Sequence, residues 1–145
     1  MTKVTNAKDL LPLGDLVDVR YVDLSAKTLD EPRVDYEPDD VQQDIEVRFG
    51  HTERVIEVQV KASVRSRIAD YEVTAATQFH VQEGVTFTEE VVAEFAEKVG
   101  AMAIYPYLRE AVQSLTTRLH EAPITMPLMR QTSLVNRNPD RPLES

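Results

Sequence analysis

An alternating pattern of apolar and polar residues in the middle of the chain constrains the fold most strongly. From position 56 to position 65, every even-numbered residue is apolar and every odd-numbered residue is polar or charged. Successive side chains of a β-strand point to opposite faces, so this pattern predicts a strand with one buried face and one face in water. Such one-sided strands are typical of antiparallel sheets, because the strands of parallel sheets are covered on both faces.

Three further segments alternate in the same way and predict three more strands, over residues 16–24, 41–49 and 71–82. In the first of them the phase slips near Tyr21–Val22, which indicates a β-bulge. The segment from Asp30 to Asp40 is rich in proline and acidic residues and reads as a loop. The other connections are too short for parallel crossovers, so the four strands should form one antiparallel sheet.

The hydrophobic period changes from two residues to about 3.6 after Gly84, as expected where strands give way to helices. The residues Thr86–Glu89 match a capping box, which predicts the start of a short helix that ends or breaks at Gly100. A second apolar stripe follows and predicts a long helix. Pro106 would then lie in the first turn of that helix, where its missing N–H is no loss.

This order of elements predicts an α+β fold: a four-stranded antiparallel sheet followed by a short and a long helix on one of its faces. We expect residues 1–145 to form a single domain, with an ordered core over about residues 10–134. The polar N-terminal end and the tail over residues 135–145, which is rich in Asn, Pro, Arg and Asp, are expected to be flexible.

The charge balance argues against several classes of partner. The net charge is −9 and the isoelectric point is about 4.8, whereas nucleic-acid phosphates require clustered lysines and arginines. No apolar run approaches the length that spans a bilayer, and no signal-peptide pattern opens the chain. The sequence therefore predicts a cytoplasmic protein without nucleic-acid binding or membrane insertion.

Signatures of catalysis, metal binding and cofactor binding are absent from the sequence. There is no cysteine, and the 4 glycines are too scattered for a phosphate-binding loop. The 3 histidines lie far apart in sequence, and none has a ligand partner at metal-site spacing. The acidic residues after Thr88 are explained by the dipole of a helix N-terminus. We therefore expect no enzyme, no metal and no cofactor.

The predicted strands and helices carry more apolar surface than they can cover by packing against one another. Such pieces often associate into symmetric oligomers. The aromatic residues Phe79, Phe87, Tyr105 and Tyr107 fit either core or oligomer packing, or a hydrophobic surface for an unstructured polypeptide. Physical reasoning from the residues leaves these alternatives open.

A resemblance to a known family favours one of these alternatives, the surface that binds an unstructured polypeptide. The stretch from "FHVQEG" through "IYPYLREAVQSLTTRL" resembles the SecB family of export chaperones, in particular the SecB-like chaperones of toxin–antitoxin–chaperone systems. The most specific part is the signature formed by Pro106, Tyr107, Arg109 and Glu110. Tyr36 and Pro38 match an aromatic-x-proline pair that precedes the second strand of that family.

The resemblance implies a homotetramer built as a dimer of dimers, and an ATP-independent holdase that keeps clients unfolded in apolar surface grooves. The client would be an antitoxin or a secretory preprotein. The residues that we expect to line the groove are Tyr36, Phe79, Phe87 and Tyr105. Tyr107 and Arg109 are expected to be structural, as helix packing and a polar anchor.

The sequence supports docking on the motor SecA, as export members of the family do, less strongly than it supports the holding of clients. Asp23 matches one acidic contact position, but the next position holds Lys27, and no acid stands near Ala75–Ala76. A general export chaperone coupled to SecA is therefore kept as an alternative hypothesis for the function. A ligand-binding or signalling domain with an α+β fold is another.

Overall fold

The computed structural model describes residues 2–119, 124–126 and 136–137. Its strands are β1 (Thr2–Lys3), β2 (Gly14–Leu16), β3 (Arg20–Thr28), β4 (Gln42–His51), β5 (Val55–Arg65), β6 (Ala69–Val81), β7 (Val85–Thr86) and β8 (Asn136–Arg137). Its helices are α1 (Ala7–Leu10), α2 (Glu89–Phe95) and α3 (Ala101–Arg118). A 3₁₀ turn, Leu11–Leu13, follows α1, and a π turn, Ala96–Gly100, joins α2 to α3.

The main sheet confirms the predicted antiparallel arrangement. β4, β5 and β6 form consecutive antiparallel hairpins, and β2 and β3 both pair antiparallel with the far side of β6. The predicted first strand is therefore two strands that share one edge position. The gap between them is bridged where the Val17 N–H donates to the Gln78 carbonyl at 2.8 Å and the Thr77 hydroxyl donates to the Val17 carbonyl at 2.6 Å.

The predicted bulge in the edge strand is confirmed. The register of β3 against β6 shifts between Tyr21 and Asp23, and Val22 is the extra residue. On either side of the shift, Tyr21 and Leu24 pair with residues of β6 that face the helices. The bulge therefore keeps the apolar residues of β3 on one face although they are three positions apart.

One face of the sheet forms the core. The odd-numbered residues of β4 and β6 and the even-numbered residues of β5 face the helices, as the alternation predicts. Their side chains join those of α2 and α3 in a single buried cluster. The fully buried members with the largest side chains include Tyr71, Phe79, Phe95, Ile56, Ile104 and Leu108.

The predicted helix boundary at Pro106 is wrong. α3 begins at Ala101, and Pro106 lies inside it rather than in its first turn. An internal proline costs about 3 kcal/mol or more in helix stability. Pro106 is exposed, while buried Tyr105 and Leu108 fix the helix on the sheet and offset this cost.

Gly100, the predicted end or break of the first helix, is the last residue of the π turn and does not terminate the helical segment. Its backbone is right-handed helical, with φ −61° and ψ −51°. A Cβ atom built there would lie 2.6 Å from Cγ2 of Val58 on β5. Glycine is therefore needed because the helix and the sheet approach each other closely at this point.

The N-terminal end, for which the sequence predicts flexibility, packs against the domain in the structure. β1 pairs in parallel with β7, and the side chains of Val4, Ala7 and Leu10 are buried in the main core cluster. The Asn6 side chain caps α1 by accepting from the Asp9 N–H at 2.8 Å. The three buried positions are spaced by three residues, so a short amphipathic segment covers the end of the domain.

The predicted flexible tail lies outside the described residues except for β8. The two residues of β8 pair in parallel with Glu46 and Val47 of β4.

Candidate functional site

Two of the four predicted groove residues lie in the core. Phe79 is 1% exposed and packs against Phe95 with ring centroids 4.7 Å apart. Tyr105 is 3% exposed, and its hydroxyl lies 3.4 Å from the amide nitrogen of Gln43. Because neither side chain offers surface to a ligand, their assignment to a surface groove is corrected to core packing.

Tyr36 is half-buried in the long loop between β3 and β4. The guanidinium of Arg33 lies 5.4 Å from the centre of its ring, and the same guanidinium donates to the Ser66 carbonyl and pairs with Asp70. Arg33 thus ties the loop to the β5–β6 turn. An open cavity of about 650 Å³ lies beside it, lined by residues of the loop that include Tyr36 and by Arg67.

Phe87 is half-buried at the opposite end of the sheet. Its ring contacts His51 edge to face at 5.5 Å, and Nε2 of His51 lies 2.6 Å from a carboxylate oxygen of Glu89. His51 and Phe87 line a second open cavity of about 650 Å³ beside the β4–β5 turn. The 11 residues of β5 separate the two cavities, a span of about 35 Å at the usual rise per residue. Tyr36 and Phe87 therefore do not form one pocket.

The largest group of exposed apolar side chains lies elsewhere, along β2 and β3. Leu24 is 51% exposed and Tyr21 is 40% exposed, and Tyr107 of α3 is 40% exposed beside them. We call the whole group the edge patch. It consists of Leu16, Val17, Tyr21, Val22, Leu24 and Tyr107.

The strand register gives the edge patch its length. Leu16 stands opposite Phe79 and Leu24 stands opposite Val73, so the patch extends over seven residues of β6, about 20 Å. The loop that carries Tyr36 begins directly after β3 and leads from this edge to the first cavity. An apolar strip of this length fits an extended polypeptide better than a compact small molecule.

Tyr21 and Tyr107 fix the helix against this edge. Their rings meet edge to face at 6.4 Å, and the Tyr21 hydroxyl donates to the Tyr107 carbonyl at 3.0 Å. Partial burial, followed by the negative charge of Glu110, raises the pKa of the Tyr21 phenol above its usual value. The hydroxyl therefore keeps its proton and remains a donor.

The backbone of β3 adds a second means of binding. Within the described ranges, β3 pairs on one side only, with β6. The other side presents unpaired N–H and C=O groups, to which an incoming strand can bond. Main-chain hydrogen bonds and apolar contacts together would bind many sequences, because neither requires a particular polar side chain.

The signature residues are mainly structural. Nε of Arg109 donates to the Met126 carbonyl at 2.8 Å, and the Ile124 N–H donates to the Thr116 hydroxyl at 3.1 Å. These bonds hold residues 124–126 along α3, in the opposite direction, with Met126 buried. The geometry agrees with the expectation that Arg109 is a polar anchor. Tyr107 has a mixed role, because it packs on Tyr21 and also belongs to the edge patch.

The polar face of the sheet carries Asp23, the predicted motor contact. Asp23 is exposed and stands opposite Thr74, on the side of the sheet away from the helices. Ala75 and Ala76, which stand near a further SecA contact position where export members have an acid, are fully buried. The structure does not test SecA docking, which stays a prediction.

The sequence analysis missed most of the edge patch because it interpreted residues 16–24 as a half-buried strand. Alternation shows which residues share a face, but it does not show that a strand lies at the edge of a sheet, where the helices cover it only in part. The only local signal was the pair Tyr21–Val22, where two apolar residues follow one another at the phase slip.

Among the described residues, no group of three or more His, Asp or Glu side chains is placed to hold a metal ion. Within the same ranges, no helix has the length and apolar character needed to cross a membrane.

Comparison with known proteins identifies relatives over most of the chain. The SecB-like chaperone SmegB of Mycolicibacterium smegmatis is 34% identical over 126 residues, which are 86% of this chain and 82% of SmegB. The SecB-like chaperone Rv1957 of Mycobacterium tuberculosis is 42% identical over 62 residues, which are 42% of this chain and 34% of Rv1957. No family model matches the chain.

The fold is also shared with a solved structure. The structure of the Mycobacterium tuberculosis Rv1957 SecB-like chaperone in complex with a ChAD peptide from the Rv1956 HigA1 antitoxin superposes with a TM-score of 0.73. It is 24% identical to this chain, and the match covers 86% of this chain and 93% of that one. The match to SmegB over most of both lengths and the common sheet-and-helix fold lead to one conclusion: the chain belongs to the SecB-like chaperone family.

Proposed function

We propose that this protein is an ATP-independent holdase that keeps an antitoxin extended and unaggregated by binding it along the edge patch. The observation that carries the proposal is the combination, on β3, of an exposed apolar strip and a free strand edge. Chaperone function follows from the family. The antitoxin client is suggested by Rv1957, whose solved complex contains an antitoxin peptide.

The physical basis of holding is burial of client apolar side chains, at about 25 cal/mol per Å² removed from water before the cost of ordering the client. Each contact is then weak, so affinity depends on several contacts made along one client segment. The edge patch provides contacts over about 20 Å. Tyr36 at one end is a candidate further contact, while Phe87 belongs to the separate cavity near the β4–β5 turn.

The proposal includes assembly into a homotetramer, a dimer of dimers, which would place several such patches on one particle and raise the avidity for a long client. It also places the protein in the cytoplasm. Support for a tetramer comes from the family resemblance. Measurement of the native mass by light scattering tests this part; a protein that stays monomeric at micromolar concentration would refute it.

Holding is tested with an unfolded client and two matched variants. Leu24→Ser removes an apolar side chain from the edge patch, whereas Val34→Ser removes one that is 95% exposed in the β3–β4 loop, outside the patch. We expect Leu24→Ser to weaken suppression of antitoxin aggregation and Val34→Ser to leave it unchanged. The opposite result would move the client site to the loop. A wild-type protein that suppresses no aggregation would refute the holdase function.

A general export chaperone that docks on SecA is the second candidate. Exposed Asp23 on the polar face is the observation that favours it. A pull-down with SecA, in which Asp23→Asn abolishes capture, would support this candidate.

A further inference from the structure

The N-terminal segment lies on the domain in the manner of a bound peptide. We call residues Thr2–Leu13 the strap. The Thr2 N–H donates to the Gly84 carbonyl and the Val4 N–H donates to the Thr86 carbonyl, both at 2.9 Å. The strap thus adds a short parallel strand to β7, which is one of the standard ways in which a sheet edge binds a peptide.

Beyond that strand, the strap buries three apolar side chains at regular intervals. Val4 is 3% exposed, Ala7 is 1% exposed and Leu10 is fully buried. The Ala7 N–H also donates to a carboxylate oxygen of Glu94 on α2, at 2.6 Å. The surface beneath the strap therefore recognises a backbone and small-to-medium apolar side chains.

The attachment does not depend on polar side chains of the strap at the strand end. No ion pair joins the strap to the remainder of the chain as far as the structure describes it. The parallel ladder with β7 is only two residues long. A two-residue ladder opens more readily than the long ladders of the main sheet, so another polypeptide can replace this end of the strap.

We propose that the surface under the strap is a second polypeptide-binding site, occupied by the strap in the free protein and taken over by a client segment that pairs with β7 and then forms a helical turn with similarly spaced apolar residues. The inference rests on the proposed holdase function and adds a site outside the edge patch. The client would pair with β7 through its backbone and place its side chains where Val4, Ala7 and Leu10 lie. The strap then acts as an intramolecular competitor that occupies this binding site until a client displaces it.

A reversible lock tests the exchange. Lys3 and Thr86 are register partners across the β1–β7 ladder and both are exposed, so the variant K3C/T86C places two cysteines at a separation that suits a disulfide. Because the natural chain has no cysteine, the oxidised variant contains only this bond. The matched control is Q42C/R65C, which joins register partners of β4 and β5 at the other end of the sheet.

Binding of fluorescein-labelled, reduced and carboxymethylated lactalbumin, a permanently unfolded probe, is followed by anisotropy. We expect the oxidised K3C/T86C protein to bind about tenfold more weakly than its reduced form, because one of two linked contacts is lost. Reduction should restore binding, and Q42C/R65C should bind equally in both states. Equal binding of oxidised and reduced K3C/T86C would overturn the inference and leave the proposed function standing. Absence of binding in both states would overturn the proposed function and this inference with it.

Hydrogen exchange on the unmodified protein gives a second, independent test. If a client displaces the strap, the amide of Val4 should exchange faster when the probe is saturating, while amides of β5 keep their protection. Unchanged protection of Val4 in the complex would contradict displacement.

Discussion

Substitution of Gly100 by alanine probes the close approach of helix and sheet described above. The new Cβ atom would lie 2.6 Å from Cγ2 and 2.9 Å from both Cβ and Cγ1 of Val58. Carbon atoms pack favourably at about 3.5–4.0 Å, so the helix and β5 must separate by about 1 Å. Because Val58 is 1% exposed and joined directly to the strand, it cannot turn away.

Two effects of opposite sign set the size of the change. Alanine gains about 1 kcal/mol of helix propensity over glycine at this helical position. Overpacking in a core costs about 1–3 kcal/mol. We expect the clash to exceed the gain, because three heavy atoms are involved, and Gly100→Ala to lower the free energy of unfolding by about 1–2 kcal/mol.

A double-mutant cycle with Val58→Ala assigns the loss to this contact. Removing the two methyl groups of Val58 should make Gly100→Ala less costly by about 1 kcal/mol or more. The free energies of unfolding are obtained from urea titrations followed by circular dichroism, at several protein concentrations to separate assembly from folding. A stabilised Gly100→Ala protein, or losses that add within about 0.5 kcal/mol, would refute the reasoning.

Three further predictions concern single side chains. Arg109→Ala should lower the free energy of unfolding by about 1.5–3 kcal/mol, because the buried segment at Met126 loses a charge-assisted hydrogen bond, and Arg109→Lys should not restore the loss in a urea titration. Phe79→Ala should cost about 3–5 kcal/mol in the same assay, as expected for a core aromatic side chain, and a cost below 1 kcal/mol would return Phe79 to the surface. Tyr21 should titrate above the usual tyrosine value in ultraviolet absorbance, and Glu110→Gln should bring its pKa down, though not fully, because burial remains. Since the folded state holds this proton more tightly than the unfolded chain, stability should fall as the pH rises through the raised pKa.

The features that follow from the regular spacing of apolar residues along the chain were predicted well. Alternation located β4, β5 and β6 and named the face that packs under the helices, because a one-residue error in a strand would turn every apolar side chain to water. It also placed the bulge at Tyr21–Val22, since a bulge is a local break in the same period.

Features that depend on tertiary packing were predicted less well. Pro106 looked like a helix start because local sequence describes the cost of an internal proline but not the packing of Tyr105 and Leu108 that outweighs it. Phe79 and Tyr105 looked like ligand contacts because their types suit both roles. The burial of Val4, Ala7 and Leu10 depends on a partner 80 residues or more along the chain, which a window of local sequence does not contain.

The π turn between α2 and α3 has a consequence for insertions and deletions. Phe95 and Ile104 are both fully buried in the one core cluster, yet at 100° per residue their nine-residue separation would put them on opposite sides of a regular helix. The turn, in which the Ala101 N–H bonds to the carbonyl of Ala96 five residues earlier, absorbs one residue and brings both to the same side. The turn therefore lets this segment hold one residue more than a regular helix without rotating α3. Loss of one residue between Ala96 and Gly100 would restore a regular helix and leave the stripe of α3 on the sheet, because that loss removes the residue that the turn absorbs. Natural relatives should therefore either keep the length of this segment or be one residue shorter there.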